Sequence, residues 1–74
     1  MSRLIRMDHT GHTTVAEWQP GDATSIAAAA QALRSELDNG YYAVMTRGEG
    51  RAEQVRDLPA DADLVILRRP IAGG

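Results

Sequence analysis

The stretch that decides the fold is DADLVILRRP, residues 61–70, in which Leu64, Val65, Ile66 and Leu67 stand between two aspartates and the Arg68-Arg69-Pro70 step. Four β-favouring apolar residues in a row read as a strand in the middle of a sheet, covered on both faces. Pro70 has no N–H to give to a ladder and ends the strand. The remaining chain must then supply the strands on either side and a layer to cover them.

Moving toward the N-terminus, residues 58–63 with Pro59 read as a loop, and residues 51–56 as a short, mostly polar strand suited to an edge. Arg47-Gly48-Glu49-Gly50 is a turn, and residues 41–46 form the strand before it. Ahead of these, Ile26, Ala30, Leu33 and Leu37 recur at helical spacing, with Gln31, Arg34, Glu36 and Asp38 expected on the opposite, wet side. Asp22 or Thr24 caps the helix start, the alanines at 27–30 favour the helix and give it a smooth surface, and Asn39-Gly40 stops it. At the front of the chain, residues 4–7 and 13–18 are strand candidates joined around Gly11, which can take the positive φ of a tight hairpin. Two alternating sets compete for the buried face of the second strand. Trp18 and Ala16 are expected to win.

The resulting order is strand, strand, helix, strand, strand, strand. It predicts an α+β fold, a mixed four- to five-stranded sheet with one helix packed across it, which is the β-grasp arrangement. Residues 1–69 form one domain and residues 70–74 a flexible tail. A chain of 74 residues buries only about 60% of its unfolded surface, which leaves little room for an enclosed active site. The apolar share of 43% and net charge of −2 are those of a globular protein.

Several function classes lose ground on composition. There is no cysteine, hence no disulfide, thiolate metal site or thiol nucleophile. No apolar run is long enough for a membrane span, and the first residues lack a signal-peptide core, so a cytoplasmic protein is expected. The eight basic residues are all arginine, scattered and outnumbered by ten acids; no basic stripe marks a nucleic-acid interface. His9 and His12 read as solvated turn histidines, since a metal site would need further ligands such as Asp8. Gly48-Glu49-Gly50 lacks the lysine of a phosphate loop, and Asp57, Asp61 and Asp63 lack the glycine and closing glutamate of a calcium loop.

The last residues, Pro70-Ile71-Ala72-Gly73-Gly74, hold the strongest chemical signal. Gly73 and Gly74 bury nothing and cost backbone entropy to order. A narrow tail with no Cβ at its last two positions can thread a partner's channel and leave an acyl carbon open to attack. Carboxylates are inert to amines and thiols in water and must first be activated, for example by adenylation with ATP and Mg²⁺. Arg68 and Arg69, with Ala72, are the candidates for recognition of the tail by the activating partner.

These residues carry a family resemblance over nearly the whole chain. Thr10-Gly11-His12-Thr13 followed by Pro20-Gly21-Asp22 is similar to the first half of ubiquitin, and residues 61–67 running into Pro70-Ile71-Ala72-Gly73-Gly74 resemble diglycine-ending sulfur carriers. The chain departs from ubiquitin in having no lysine, a shorter link between helix and third strand, and a proline in the tail. Membership of the ubiquitin-like β-grasp superfamily implies a substrate protein, not an enzyme. Its cofactors would be none bound, with ATP and Mg used by an adenylating activating enzyme. Gly74, backed by Gly73, would be the activated end, transferred to amines of target proteins through an isopeptide bond. The alternatives are a thiocarboxylate sulfur carrier for cofactor biosynthesis, served by sulfur donor and acceptor enzymes, and a non-conjugating β-grasp protein-binding module. Tyr41 or Tyr42, Met45, Val65 and Leu67 are candidates for an apolar partner surface; otherwise they complete a small core.

Overall fold

A computed structural model describes residues 1–47 and 50–70 of the chain. Its elements are β1 (Ser2–Asp8), β2 (Gly11–Trp18), α1 (Ala23–Asp38), β3 (Tyr42–Arg47), β4 (Arg51–Val55) and β5 (Leu64–Arg68), in the order expected from the sequence. The strands make one mixed five-stranded sheet, β2-β1-β5-β3-β4, with α1 packed across it. β5 occupies the centre, as its apolar run requires. It runs parallel to β1, with Leu4 opposite Val65, and antiparallel to β3, with Met45 opposite the same Val65. β4 pairs only with β3 and is the polar edge.

Local chemistry fixes the helix at both ends. Asp22 is the N-cap, its carboxylate accepting from the Thr24 N–H at 3.2 Å. At the other end the Gly40 N–H donates to Leu37 O and the Tyr41 N–H to Glu36 O, both at 3.1 Å, with Gly40 at φ +96°. That is a Schellman stop, and only glycine takes its left-handed residue without strain. It also fixes where Tyr41 leaves the helix.

The core lies between α1 and one face of the sheet. Leu4, Trp18, Ala29, Leu33, Ala43, Met45, Val65 and Leu67 are each at most 4% exposed. Each fully buried Leu or Val is worth about 1.5–3 kcal/mol relative to exposure. The indole Nε1 of Trp18 donates to Ala60 O at 3.0 Å, so the largest core side chain also ties β2 to the loop that feeds β5.

Three expectations need correction. The strand at residues 64–67 is central but covered on one face only: Val65 and Leu67 are buried while Leu64 and Ile66 are half-buried, because the single helix covers a single face. Glu36, expected on the wet side of α1, is 7% exposed. It lies three residues beyond Leu33 on the row Ile26, Ala29, Leu33, Glu36, and Arg6 reaches it from β1 at 2.7 Å, which makes burial of the charge tolerable. Finally, Trp18 and Ala16 do pack on the core as expected, but one member of the competing set, Val15, joins them. A register shift places Leu4 opposite Ala16 but Ile5 opposite Thr14, so Val15 is the extra residue of a bulge and both Val15 and Ala16 pack on the core.

Candidate functional site

The end of β5 opens into a shallow cleft of about 810 Å³. Met7, Asp8 and His9 line it from the end of β1, Tyr41 and Tyr42 from the start of β3, and Arg68, Arg69 and Pro70 from the chain leaving the sheet. Because β1 and β5 are parallel, their last residues arrive at the same edge; because β3 is antiparallel to β5, its first residues arrive there too. The topology therefore gathers two tyrosines and two arginines around the point where residues 71–74 attach.

The two arginines go different ways. Side chains alternate across a strand, so Arg68 shares the parity of Leu64 and Ile66 and belongs to the sheet face that α1 does not cover; Tyr42 is its cross-strand partner. Among the described residues the Arg68 side chain has no hydrogen bond or ion pair, its backbone belonging to the ladder with β3. Arg69 turns to the helix side instead. Its guanidinium carbon lies 5.0 Å from the Tyr41 ring centroid and its Nη2 donates to Asn39 O at 3.4 Å. The Arg6 guanidinium lies 5.8 Å from the same ring centroid and holds Glu36.

On the β1 side of the cleft, the Asp8 carboxylate accepts from the Thr10 hydroxyl and from the Thr10 N–H, the latter at 2.8 Å. These bonds, the hydroxyl first, hold its carboxyl below the usual carboxylate value of 3.8. His9 stands beside it, exposed. Among the described residues no three His, Asp or Glu side chains come together as a metal-holding group. No helix of the described residues is long and apolar enough to cross a membrane.

Of the residues singled out in the sequence, the cleft brings together Arg68, Arg69, Tyr41 and Tyr42. Ala72, Gly73 and Gly74 lie outside the described residues, as do Gly48 and Glu49 of the turn before β4. Met45, Val65 and Leu67 are not a partner surface: at 4%, 0% and 0% exposure they are core, because their parity faces α1. The uncovered face is carried by the other parity: Tyr42, Val44, Leu64 and Ile66 are half-buried, Ile5 is buried among them at 9% exposure, and Met7 is 38% exposed at its end. Ile5 opposite Ile66 and Ile66 opposite Val44 form a continuous apolar row across three strands. The alternation around Val65 and Leu67 was the signal for it. The Arg6–Glu36 pair had no comparable signal beyond Glu36 falling on the apolar helix row.

Comparison of the chain with protein-family models, with curated proteins and with solved structures returns no match.

Proposed function

We propose that this chain is a ubiquitin-like β-grasp modifier, a substrate protein whose Gly74 carboxylate is the reactive group. The observation that carries the reading is the placement of β5. The central strand of the sheet runs directly into Arg68, Arg69 and Pro70, all three exposed, so the last described residue stands at the rim of the fold. The element order and the mixed sheet under one helix are compatible with the β-grasp.

The chemistry needs a free carboxylate at Gly74, whether encoded or exposed by cleavage behind it. An adenylating enzyme with ATP and Mg²⁺ joins that carboxylate to AMP and releases pyrophosphate. A target amine then attacks the acyl carbon, AMP leaves with the bonding pair, the nitrogen gives up one proton to solvent, and an isopeptide bond remains. Glycine at both terminal positions leaves the acyl carbon without steric cover. The chain supplies the substrate group and the partner supplies the catalysis.

Mass spectrometry of the protein and its adducts from the native cell tests this. Trypsin seldom cuts before proline, so a modified lysine carries an Arg-Pro-Ile-Ala-Gly-Gly remnant cut behind Arg68. Finding it on target lysines is the expected result. A free chain heavier by the exchange of one oxygen for sulfur would replace the modifier with the sulfur carrier. A second reading, a binding module with no carboxylate chemistry, is favoured by the apolar row of Ile5, Ile66 and Val44 on the uncovered face; an unaltered Gly74 carboxylate under all conditions would select it.

A further inference from the structure

We propose that Tyr41 is a positioning residue that docks Arg69 and thereby sets the direction in which the chain leaves the fold at Pro70, leaving Arg68 as the arginine offered to a partner. The docking stands on geometry alone; its use in acyl activation rests on the modifier reading above.

The dock follows from how α1 ends. The Schellman hydrogen bonds at Gly40 and Tyr41 pin the Tyr41 backbone to the last turn of the helix, so its ring has a defined seat beside the sheet. The ring packs against the core on one side of its environment and meets the guanidinium groups of Arg6 and Arg69, at 5.8 and 5.0 Å from its centroid. Both distances are within the roughly 6 Å at which the ring quadrupole attracts a cation.

Arg69 also answers an electrostatic need. Exposed carbonyls give a helix C-terminus partial negative charge, which favours a nearby cation. The last turn of α1 has no basic residue and its final residue is Asp38. Arg69 reaches that end from 30 positions away in sequence, donating to Asn39 O. Its neighbour Arg6 is already bound to Glu36 at 2.7 Å, so one arginine holds the helix to β1 and the other holds the strand exit to the helix.

The consequence is directional. A residue before proline is confined to extended conformations, and proline itself has a fixed φ. With the Arg69 side chain held at the ring, the two most restricted residues of the exit are anchored in series. The described chain therefore ends at Pro70 with a narrowed choice of directions. A partner that must receive a thin acyl end gains from that narrowing, because fewer orientations need to be searched.

The test compares Tyr41→Leu with Tyr41→Phe, the first removing the π face and the second only the hydroxyl. Protons of the Arg69 side chain held over the ring are expected to show ring-current shifts by NMR. These shifts should persist in Tyr41→Phe and in Arg68→Met, and collapse in Tyr41→Leu. Trypsin cleavage between Arg68 and Arg69 should accelerate about two- to fivefold in Tyr41→Leu, the range set by losing an exposed cation–π contact, and stay unchanged in Tyr41→Phe. Arg69 proton shifts that are identical in wild type and Tyr41→Leu would overturn the dock. If Tyr41→Leu does not fold, Arg69→Met takes its place: the ring protons of Tyr41 should then shift, and unmoved ring protons would overturn the dock equally.

In the native cell, Tyr41→Leu should lower the yield of the diglycine remnant several-fold while Tyr41→Phe retains it. Equal yields from the two variants would overturn the positioning role. Intact ring-current shifts with no remnant from any variant, wild type included, would uphold the dock and remove the modifier reading.

Discussion

The two faces of the sheet are built from similar residues and meet different fates. On the helix side Leu4, Ala43, Val65 and Leu67 are fully buried and Met45 nearly so; on the other side Ile5 is 9% exposed, Tyr42, Val44, Leu64 and Ile66 are half-buried, and Met7 is open. Hydrophobicity alone does not separate the two sets. What separates them is that one helix covers one face, and strand parity decides which residue meets it. Apolar surface on the second face is therefore a property this fold leaves unspent, and it adjoins the exit of β5.

The largest test of that difference is a pair of truncations one residue apart. Leu67→Ala opens a cavity under α1 and should cost about 2–5 kcal/mol in denaturant melts, whereas Ile66→Ala, half-buried on the uncovered face, should cost about 1–2 kcal/mol. Equal losses would mean that the second face is as tightly filled as the first. Charges on β1 give a second, smaller contrast. Arg6 lies on the helix side and bonds the buried Glu36, so Arg6→Met should cost about 1.5–3 kcal/mol by stranding that carboxylate. Arg3 lies on the other side, 3.8 Å from Glu17 with both side chains about half exposed, and Arg3→Met should cost about 0–1 kcal/mol. Smaller again is the covering layer's own cap: Asp22→Ala should cost about 0.5–2 kcal/mol. Its amide-exchange signature should be confined to α1, and equally accelerated exchange at Ile66 in β5 would show that the covering helix and the sheet open as one unit.

How far the sequence led depended on whether a feature was local. The central strand, the Asp22 cap, the Asn39-Gly40 stop and the polar edge at β4 were legible because each is set by residues within a turn or so of one another. The coarse α+β layout followed from their order. What was not legible needed a partner distant in sequence. Glu36 looks like a wet-face residue until Arg6, 30 positions earlier, is brought beside it. Val15 and Ala16 cannot be ranked until the bulge opposite Leu4 and Ile5 is known. Arg68 and Arg69 are adjacent, identical and indistinguishable as letters; strand parity gives Arg68 to the uncovered face, and the seat of Tyr41 at the helix stop draws Arg69 to the helix side. The uncovered apolar row was within reach, since choosing Val65 and Leu67 for the core forces Leu64 and Ile66 outward, but that choice required knowing that a single helix does the covering.

The smallest expected effect lies at the hairpin between β1 and β2, where both faces are wet. Asp8 there accepts from the Thr10 hydroxyl and N–H, and these bonds favour its charged form. Because its folded value is depressed, whatever stability the contact contributes is present above the ordinary value of 3.8 and is lost as pH falls through the lower folded value. An NMR titration should place the Asp8 midpoint below 3.8. Thr10→Ala should move the midpoint part of the way back up, since the backbone N–H remains. In both proteins the amides of Leu33 and Leu67 should stay fixed across this titration, because the core lies on the helix-covered face and has no part in the turn. A midpoint insensitive to Thr10→Ala would assign the depression to the Thr10 N–H, which the substitution keeps, and to the neighbouring charges of His9 and Arg6. Core amides that follow the Asp8 titration would show that the hairpin and the covered face form one cooperative unit, and the contrast between the faces would then stop short of this end of the sheet.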